Sequence, residues 1–423
     1  MSWFHSSSTD SNSANLHPVQ LAFDQEALFG PLVPQDTEWL QAGGFVTETQ
    51  VFYATTKDGG IIMCQVIHSS VGVWYPSIQF TFRYVNPKTN QHVWKSTAVT
   101  NFTTAPSSNL DKRSIKSDQF TITVDPSTPN KYTIIGKYDD EVQISLVYES
   151  LTPGWKVGAG PRGGMTYFGH SKESKSTAGP TPDHGGGADG YAVHRFWPRC
   201  AVSGIVRIGQ EVLDVDGSRG TFIHAIQGMR PNVLAAKWNF ANFQSSAEGG
   251  EGVALTMMEF ETTPSYGSKK VNIGSVVVGD KLVAITAGGE GVVGKSVAEH
   301  VGPIKDVETG YHAPSSIKYQ WEGVTLTEDG KPTDKKDLTT AILNLDLLTS
   351  NPGEPYQTRG LIEKVDVLGQ IPYLVKKFVN YAAGTKPYIY TWLNPAKATI
   401  STPSKEAPIV VDGHVFSEST WIS

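Results

Sequence analysis

The sequence predicts an all-β protein in which two antiparallel β-barrels pack together. Apolar and polar residues alternate along many short segments, including 78–84, 142–148 and 317–321, as expected for strands with one buried face. Turn-forming clusters separate these segments, for example at 56–60 and 328–331. A chain of 423 residues suits two domains of about 200 residues each. Closing the sheets into barrels would remove the exposed edges of so many strands.

The expected domains follow changes in composition. Residues 1–35 are rich in Ser and Asn and lack periodicity, which predicts a mobile arm. Residues 36–202 form the expected N-terminal barrel, and the Gly-rich stretch 158–190 within it predicts a long loop. The strand pattern resumes after this loop, so we expect the C-terminal barrel to occupy residues 203–423.

A short amphipathic helix is expected near the C-terminus. Its apolar residues follow the spacing of one helix face: Ile371, Leu374, Val375, Phe378 and Val379. A helix beside a barrel is typical of a lipocalin-like fold, and a barrel of about eight strands can hold one small ligand. The predicted fold is therefore two lipocalin-like antiparallel β-barrels packed together.

Charge and cysteine content exclude several classes of protein. The formal net charge is -6, which argues against binding nucleic acid through general attraction to phosphates. Only Cys64 and Cys200 are present, too few for a disulfide framework or a zinc cluster. The sequence shows no secretory signal and no run approaching about 18 apolar residues. We expect a cytoplasmic protein without a transmembrane segment, with at most weak peripheral contact with endomembranes.

No cofactor and no metal are expected. The glycine spacing at 158–163 and the Walker-like string at 289–296 lack the following helix that a phosphate cradle requires. The histidines show neither H-x-H nor H-E-x-x-H spacing. The expected partner is instead a hydrophobic small molecule or lipid.

Candidate ligand-binding residues are the large polar and aromatic side chains near the predicted domain junction. They are Trp74, Tyr75, Trp197, Arg199, Gln227, Met229, Trp238, Asn242 and Met257. Alternation places Glu259 on the same face as Met257. A carboxylate on the inner face of a barrel needs a partner, such as Arg230 or Arg199, or a ligand. A structural ion pair and a ligand contact both remain open.

Several segments closely resemble the fungal survival-factor family of oxidative-stress survival proteins. They are TETQVFY (47–53), HRFWPR (194–199), FIHAIQGMRP (222–231), AAKWNFANFQS (235–245), AGTKPYIY (383–390) and FSESTWIS (416–423). The resemblance covers nearly everything after about residue 36. It implies two lipocalin-like barrels and the intracellular binding and transfer of a sphingolipid such as ceramide.

The N-terminus departs from the carrier members of that family. Those members begin with an amphipathic helix that docks on membranes, whereas this chain begins with a polar, Ser-rich arm. The arm offers few side chains that would touch lipid: Trp3, Phe4, Leu16, Val19 and Leu21. This difference indicates a paralogue that lacks the N-terminal amphipathic helix.

An enzymatic alternative also follows from resemblance. Related fungal double-lipocalin proteins are cofactor-free cyclases that hold a hydrophobic substrate in a reactive conformation. Such a cyclase or isomerase, of the pericyclase or hydratase type, would need groups that polarise a carbonyl or move a proton. The candidates for that role are Glu259, Arg230, His224 and His194.

Overall fold

The computed structural model of this protein describes residues 15–24, 27–72, 76–105, 110–169, 189–245, 251–292, 294–347, 358–370 and 386–422. Within these ranges the chain is almost entirely β-structure. Two single-turn α-helices, α1 (Pro231–Leu234) and α2 (Val367–Gln370), and three 3₁₀ turns (Val19–Leu21, Pro34–Thr37 and Pro264–Tyr266) make up the helical part. Neither α-helix has the length or the apolar run that crossing a bilayer demands.

The first sheet is formed by the N-terminal half of the described chain. Its strands are β1 (Leu16–His17), β2 (Phe29–Pro31), β3 (Gly44–Thr55), β4 (Ile61–Gly72), β5 (Ser77–Asn86), β6 (Gln91–Ala98), β7 (Thr103–Thr104), β8 (Ile115–Lys116), β9 (Phe120–Val124), β10 (Lys131–Lys137), β11 (Val142–Ser150), β12 (Trp155–Val157), β13 (Met165–Phe168), β14 (Gly190–Ile208), β15 (Glu211–Asp214) and β16 (Ser218–Gln227). The main path runs β6-β5-β4-β3-β16-β14-β11-β10-β9-β8-β7. This sheet curls into a half-barrel.

The second sheet follows in the C-terminal half. Its region contains β17 (Ala235–Ser245), β18 (Val253–Thr262), β19 (Lys270–Val278), β20 (Lys281–Gly288), β21 (Val297–Val301), β22 (Ile304–Lys305), β23 (His312–Ala313), β24 (Ser316–Val324), β25 (Leu338–Asp346), β26 (Leu361–Asp366), β27 (Tyr388–Ser401) and β28 (Ile409–Trp421). The path is β20-β19-β18-β17-β28-β27-β25-β24-β21, while β22 and β23 pair with each other. A bridge between Ala284 and Thr325 brings the ends together and nearly closes the barrel.

Aromatic side chains fill the inside of the first barrel. Alternation turns Phe52 of β3 and Phe222 of β16 inward, where their ring centroids lie 4.8 Å apart. Trp197 of β14 packs between Phe222 at 5.3 Å and Tyr132 of β10 at 4.9 Å. All four are buried. Such close ring contacts add to the free energy gained from burying their area.

The two barrels pack together through the outer faces of β3, β17 and β28. Tyr53 stacks on Phe240 with a centroid separation of 5.6 Å and lies 5.2 Å from Phe416. Arg83 of the first barrel forms an ion pair of 2.7 Å with Glu363 of the second. This shared apolar face, with polar contacts at its margin, joins the sheets into one body and confirms the predicted fold class.

The sheets divide later in the chain than the expected boundary at 202/203. Strand β14 runs through that position without a break. Strand β16 then pairs with β3 in the first sheet, so the change of sheet falls between Gln227 and Ala235. The reason is that β14 buries side chains on both faces and keeps pairing partners along its whole length. The division into folding domains remains a prediction.

Two other expectations need correction. Residues 15–24 and 27–35 of the expected mobile arm pack against the barrels. Leu16 and Val19 are buried, because their apolar side chains belong to clusters with residues of both sheets. Within the expected loop 158–190, residues Met165–Phe168 form β13, which pairs with β14. The predicted amphipathic helix at 371–384 lies outside the described residues.

The 3₁₀ turn Val19–Leu21 bridges the two barrels. The Val19 amide donates to Thr166 Oγ1 of β13 at 3.1 Å, and Gln20 Nε2 donates to the Gly288 carbonyl of β20 at 3.3 Å. Val19 is 2% exposed and packs in the apolar cluster between the sheets, whereas Leu21 is 46% exposed.

We expect Val19→Asp to lower the free energy of unfolding by about 3 kcal/mol, because it places an unpaired carboxylate between the barrels. Leu21→Asp, a matched change on the exposed side of the same turn, should cost less than about 0.5 kcal/mol. Denaturant unfolding of both variants measures this difference. Equal stability of the two variants would show that the turn does not hold the barrels together.

Candidate functional site

One end of the first barrel's interior is polar rather than aromatic. On β3, Glu48 lies four residues before Phe52 and Gln50 lies two before it. Because alternate residues of a strand share a face, both point inward with Phe52. Gln50 pairs with His224 of β16, and Glu48 pairs with His68 of β4. All four side chains are buried. Together with Trp39, which lies over them, we call these residues the polar end.

Residues 36–42 cross this end of the barrel and are tied to it; we call them the cap. The Glu48 carboxylate accepts the backbone N–H groups of Leu40 and Gln41, each at 2.9 Å. His224 donates from Nδ1 to the Asp36 carbonyl at 3.0 Å, and the Asp36 carboxylate pairs with buried Lys156 at 2.6 Å. Arg195 of β14 also donates to the Asp36 carbonyl, so the cap is held from four strands, β3, β12, β14 and β16.

The charge of Glu48 is stabilised where it lies. Burial raises the pKa of this carboxyl, but the hydrogen bond and charge of His224 and the two backbone N–H groups outweigh burial and lower the pKa below 4.5. His224 Nε2 lies 2.9 Å from Glu48 Oε1, so both ring nitrogens face acceptors. The ring therefore links the Glu48 carboxylate to the Asp36 carbonyl of the cap.

Three buried polar atoms of the polar end have no hydrogen-bond partner among the described residues. They are Trp39 Nε1, Gln50 Oε1 and His68 Nδ1. Half-buried Phe102 lies beside two of them, with ring centroids 5.7 Å from Trp39 and 6.0 Å from His68. An unsatisfied buried polar group costs about 1–3 kcal/mol. A ligand with amide or hydroxyl groups would remove that cost.

The second barrel also has a polar cluster, built around Glu259, but there the carboxylate is fully paired. It accepts from Asn239 Nδ2 at 3.2 Å, from Asn272 Nδ2 at 2.9 Å and from the backbone N–H of Ala298 at 3.1 Å. Asn239 and Asn272 are its neighbours on the adjoining strands β17 and β19. The prediction that Arg230 or Arg199 pairs with Glu259 is therefore wrong, because residues on neighbouring strands already donate to this carboxylate.

The four catalytic candidates lie in separate places. His224 belongs to the polar end and Glu259 to the second barrel. His194 is buried where the barrels meet, near Phe260, and burial lowers its pKa to about 4. Arg230 is half-buried, with its guanidinium 4.3 Å from the ring centre of Phe45. No hydrogen bond joins any two of the four candidates in the described structure.

The ligand-binding candidates are similarly dispersed. Trp197 lies in the apolar core of the first barrel and Met257 in that of the second. Arg199 and Asn242 belong to a network between the barrels, in which Arg199 donates to Gln244 Oε1 at 3.1 Å and Thr221 Oγ1 donates to Asn242 Oδ1 at 2.8 Å.

The remaining ligand-binding candidates lie near α1 or outside the described residues. Buried Met229 and half-buried Trp238 belong to the apolar cluster there, and Gln227 donates to the Met229 carbonyl at 2.9 Å. Trp74 and Tyr75 lie outside the described residues.

Sequence reasoning missed Trp39, Glu48, Gln50 and His68. A signal was present for two of them, because Glu48 and Gln50 occupy the inward positions of a strand that continues to Phe52. An inward Glu on a strand that continues into an apolar core marks a buried charge, which requires a partner.

The comparisons with known proteins cover all or nearly all of the chain. The model of the Svf1 family matches residues 1–423. The ceramide-binding protein svf-1 of Neurospora crassa is 32% identical over 390 residues, covering 92% of this chain and 88% of that protein. The ceramide-binding protein SVF1 of Debaryomyces hansenii is 32% identical over 412 residues, covering 96% and 93%.

A solved structure resembles the fold. The crystal structure of CghA matches with a TM-score of 0.54 at 10% sequence identity, covering 97% of this chain and 98% of that one. At this identity the likeness establishes the shared double-barrel architecture alone.

We expect Glu48→Gln to loosen the cap, because an amide offers one acceptor oxygen where the carboxylate offers two, and Leu40, Gln41 and His224 all bond these oxygens. The free energy of unfolding should fall by about 1–3 kcal/mol at neutral pH. Hydrogen exchange at Leu40 and Gln41 should accelerate. Glu299→Gln, which removes an exposed carboxylate, is the control and should change neither quantity.

The pH dependence gives a second readout of the same variant. Since the folded-state pKa of Glu48 lies below 4.5, its stabilisation is present above about pH 4.5 and is lost as the pH falls through the folded-state value. The difference in stability between wild type and Glu48→Gln should therefore shrink on acidification. A difference that stays constant with pH would contradict a lowered pKa of Glu48 in the folded protein.

Proposed function

This chain belongs to the Svf1 family, as its sequence resemblance indicated, and we propose that it binds a ceramide-type lipid with the polar end of its first barrel. The observation that carries the proposal is the convergence of three unpartnered buried polar atoms, on Trp39, Gln50 and His68, beside an aromatic side chain. Relatives that match over nearly all of this chain bear the name ceramide-binding protein, which supports the choice of ligand.

The headgroup of a ceramide complements these atoms. It carries an amide N–H, an amide carbonyl and hydroxyl groups, whereas its two chains carry no polar atoms. Trp39 Nε1–H would donate to the lipid carbonyl, and Gln50 Oε1 would accept from an N–H or hydroxyl. Burial lowers the pKa of His68 despite the nearby Glu48 charge, so a neutral imidazole faces the uncharged headgroup.

The apolar chains would leave along the edge of the half-barrel. Half-buried Ile78, Val99 and Phe102 pack against the first core there, and the Val99 amide donates to the Ile78 carbonyl at 2.9 Å. Each methylene removed from water contributes about 0.8 kcal/mol. Long chains therefore supply most of the binding free energy, while the polar end selects the headgroup.

The cap gives this site a means of loading and release. Since residues 36–42 cover the polar end, a lipid would enter as the cap moves away and would be shielded when it returns. We propose that the protein carries its ligand through the cytosol, with brief peripheral contact with endomembranes, in support of survival under oxidative stress.

A cofactor-free cyclase or isomerase is the alternative function. It requires an acid–base pair facing one substrate. In the described residues the four candidates for that role share no hydrogen bond, and Glu259 is already bonded to two Asn amides and a backbone N–H. His224 does pair with Glu48, but both of these side chains also bond the backbone of the cap. These contacts favour binding over catalysis.

We expect Trp39→Phe to weaken ceramide binding about five- to tenfold, because it deletes one hydrogen-bond donor and keeps the aromatic body. Gln50→Leu should have a similar effect through the lost acceptor. Titration of purified protein with a fluorescent ceramide, alongside a thermal melt, separates affinity from stability.

Trp238→Phe is the matched control, since the Nε1 of half-buried Trp238, like that of buried Trp39, has no partner among the described residues. Its affinity for the probe should equal that of the wild type. A loss with Trp238→Phe and none with Trp39→Phe would move the lipid site to the cluster near α1. Failure of the wild-type protein to bind ceramide would refute the proposed function.

A further inference from the structure

A second candidate site lies at the far ends of the same strands. An open cleft with a volume of about 450 Å³ separates the two barrels there. On the first barrel it is lined by Thr55, Lys57 and Arg219, and on the second by Gln244, Lys397 and His414. Along β3, Thr55 lies seven positions after Glu48, which places the cleft about 20 Å from the polar end.

Two cationic side chains of the first barrel lie beside Gly217, which has a left-handed φ of 80°. The Lys57 side chain lies so close to this glycine that a Cβ there would collide with Lys57 Cε and reach within 2.9 Å of Nζ. Arg219 Nη1 donates to the carbonyl oxygens of Gly217 and Ser218, at 3.4 and 3.2 Å. Both side chains thus reach this glycine, and both line the cleft.

Neither cation has a carboxylate partner within 4.0 Å among the described residues. Arg219 Nε is buried and has no hydrogen-bond partner there. The nearest acidic side chain on the β3–β4 turn, Asp58, is already bonded to Thr56 Oγ1 and Asn86 Nδ2, each at 2.5 Å. An anion bound in a cleft that two unpaired cations line would interact favourably with both of them.

The opposite wall of the cleft is nearly neutral. Lys397 lies 3.7 Å from Asp412, and both are exposed. The His414 imidazole packs against the backbone at Gly59, where burial lowers its pKa. Pro395 and Ala396 add an apolar surface. The cleft therefore has a cationic side on the first barrel and a mixed, partly apolar side on the second, in a protein whose net charge is -6.

We propose that this cleft binds a phosphate monoester, with Lys57 and Arg219 on the phosphate oxygens and the Pro395–Ala396 wall against the organic group. Arginine presents a planar fork of donors that suits phosphate, and lysine adds a point charge. The phosphate belongs either to a soluble metabolite or to the headgroup of a lipid. This site is separate from the polar end, so it does not depend on the proposed ceramide binding.

The test is calorimetric titration of the full chain with inorganic phosphate and with butyl phosphate, and sedimentation of the protein with vesicles of phosphatidylcholine with or without phosphatidic acid. The proposal predicts saturable 1:1 binding of butyl phosphate. Binding of butyl phosphate without sedimentation on phosphatidic acid vesicles assigns a soluble ligand, and binding with sedimentation assigns a lipid headgroup.

Variants decide whether the cleft is responsible. Lys57→Gln and Arg219→Gln should each weaken butyl phosphate binding at least tenfold, because each removes a charge-assisted hydrogen bond. Lys331→Gln, which removes a cation paired with Asp329 on an exposed hairpin, should leave binding unchanged. If Arg219→Gln lowers the melting temperature, the binding measured with Lys57→Gln decides the question, because Lys57 is exposed. Absence of saturable binding, or an equal loss in Lys331→Gln, would overturn the proposal.

Discussion

A carboxylate inside a barrel must be compensated, and in the first barrel this requirement organises the surrounding chain. Glu48 is fully buried and keeps its charge by accepting two cap N–H groups and by pairing with His224. His224 in turn binds the carbonyl of Asp36, whose carboxylate pairs with Lys156. The cap, two central strands and β12 are therefore joined through one charge. The same arrangement leaves Trp39 and Gln50 with unpartnered atoms facing the barrel end.

The two barrels treat a similar problem differently. In the second barrel the carboxylate of Glu259 is satisfied by Asn239 and Asn272 on adjoining strands, so that cluster is complete without a ligand. In the first barrel the partners come from a segment that lies across the opening. A covering segment can move without breaking the sheet, whereas strand neighbours cannot. This difference is the physical reason to place ligand exchange at the first barrel.

Strand alternation was enough to predict the all-β double-barrel fold, because every second residue of a strand is buried, as Phe52 is on β3 and Phe222 on β16. It was not enough to place the site. Which candidates meet depends on long-range pairing, as when β16 brings His224 beside Glu48 across more than 170 intervening residues. Gln50 and Trp39 were missed for the same reason, since their unpartnered atoms become apparent only when their neighbours are known. Val19 looked like part of a polar arm because its apolar contacts lie on distant strands.

The most direct test of lipid binding at the polar end is photo-crosslinking with a ceramide that carries a diazirine near its amide, followed by peptide mapping. The account predicts labelled peptides from the cap and from β3 and β4, around Trp39, Gln50 and His68. Labelling confined to the second barrel or to the cleft between the barrels, or labelling not competed by unmodified ceramide, would contradict it.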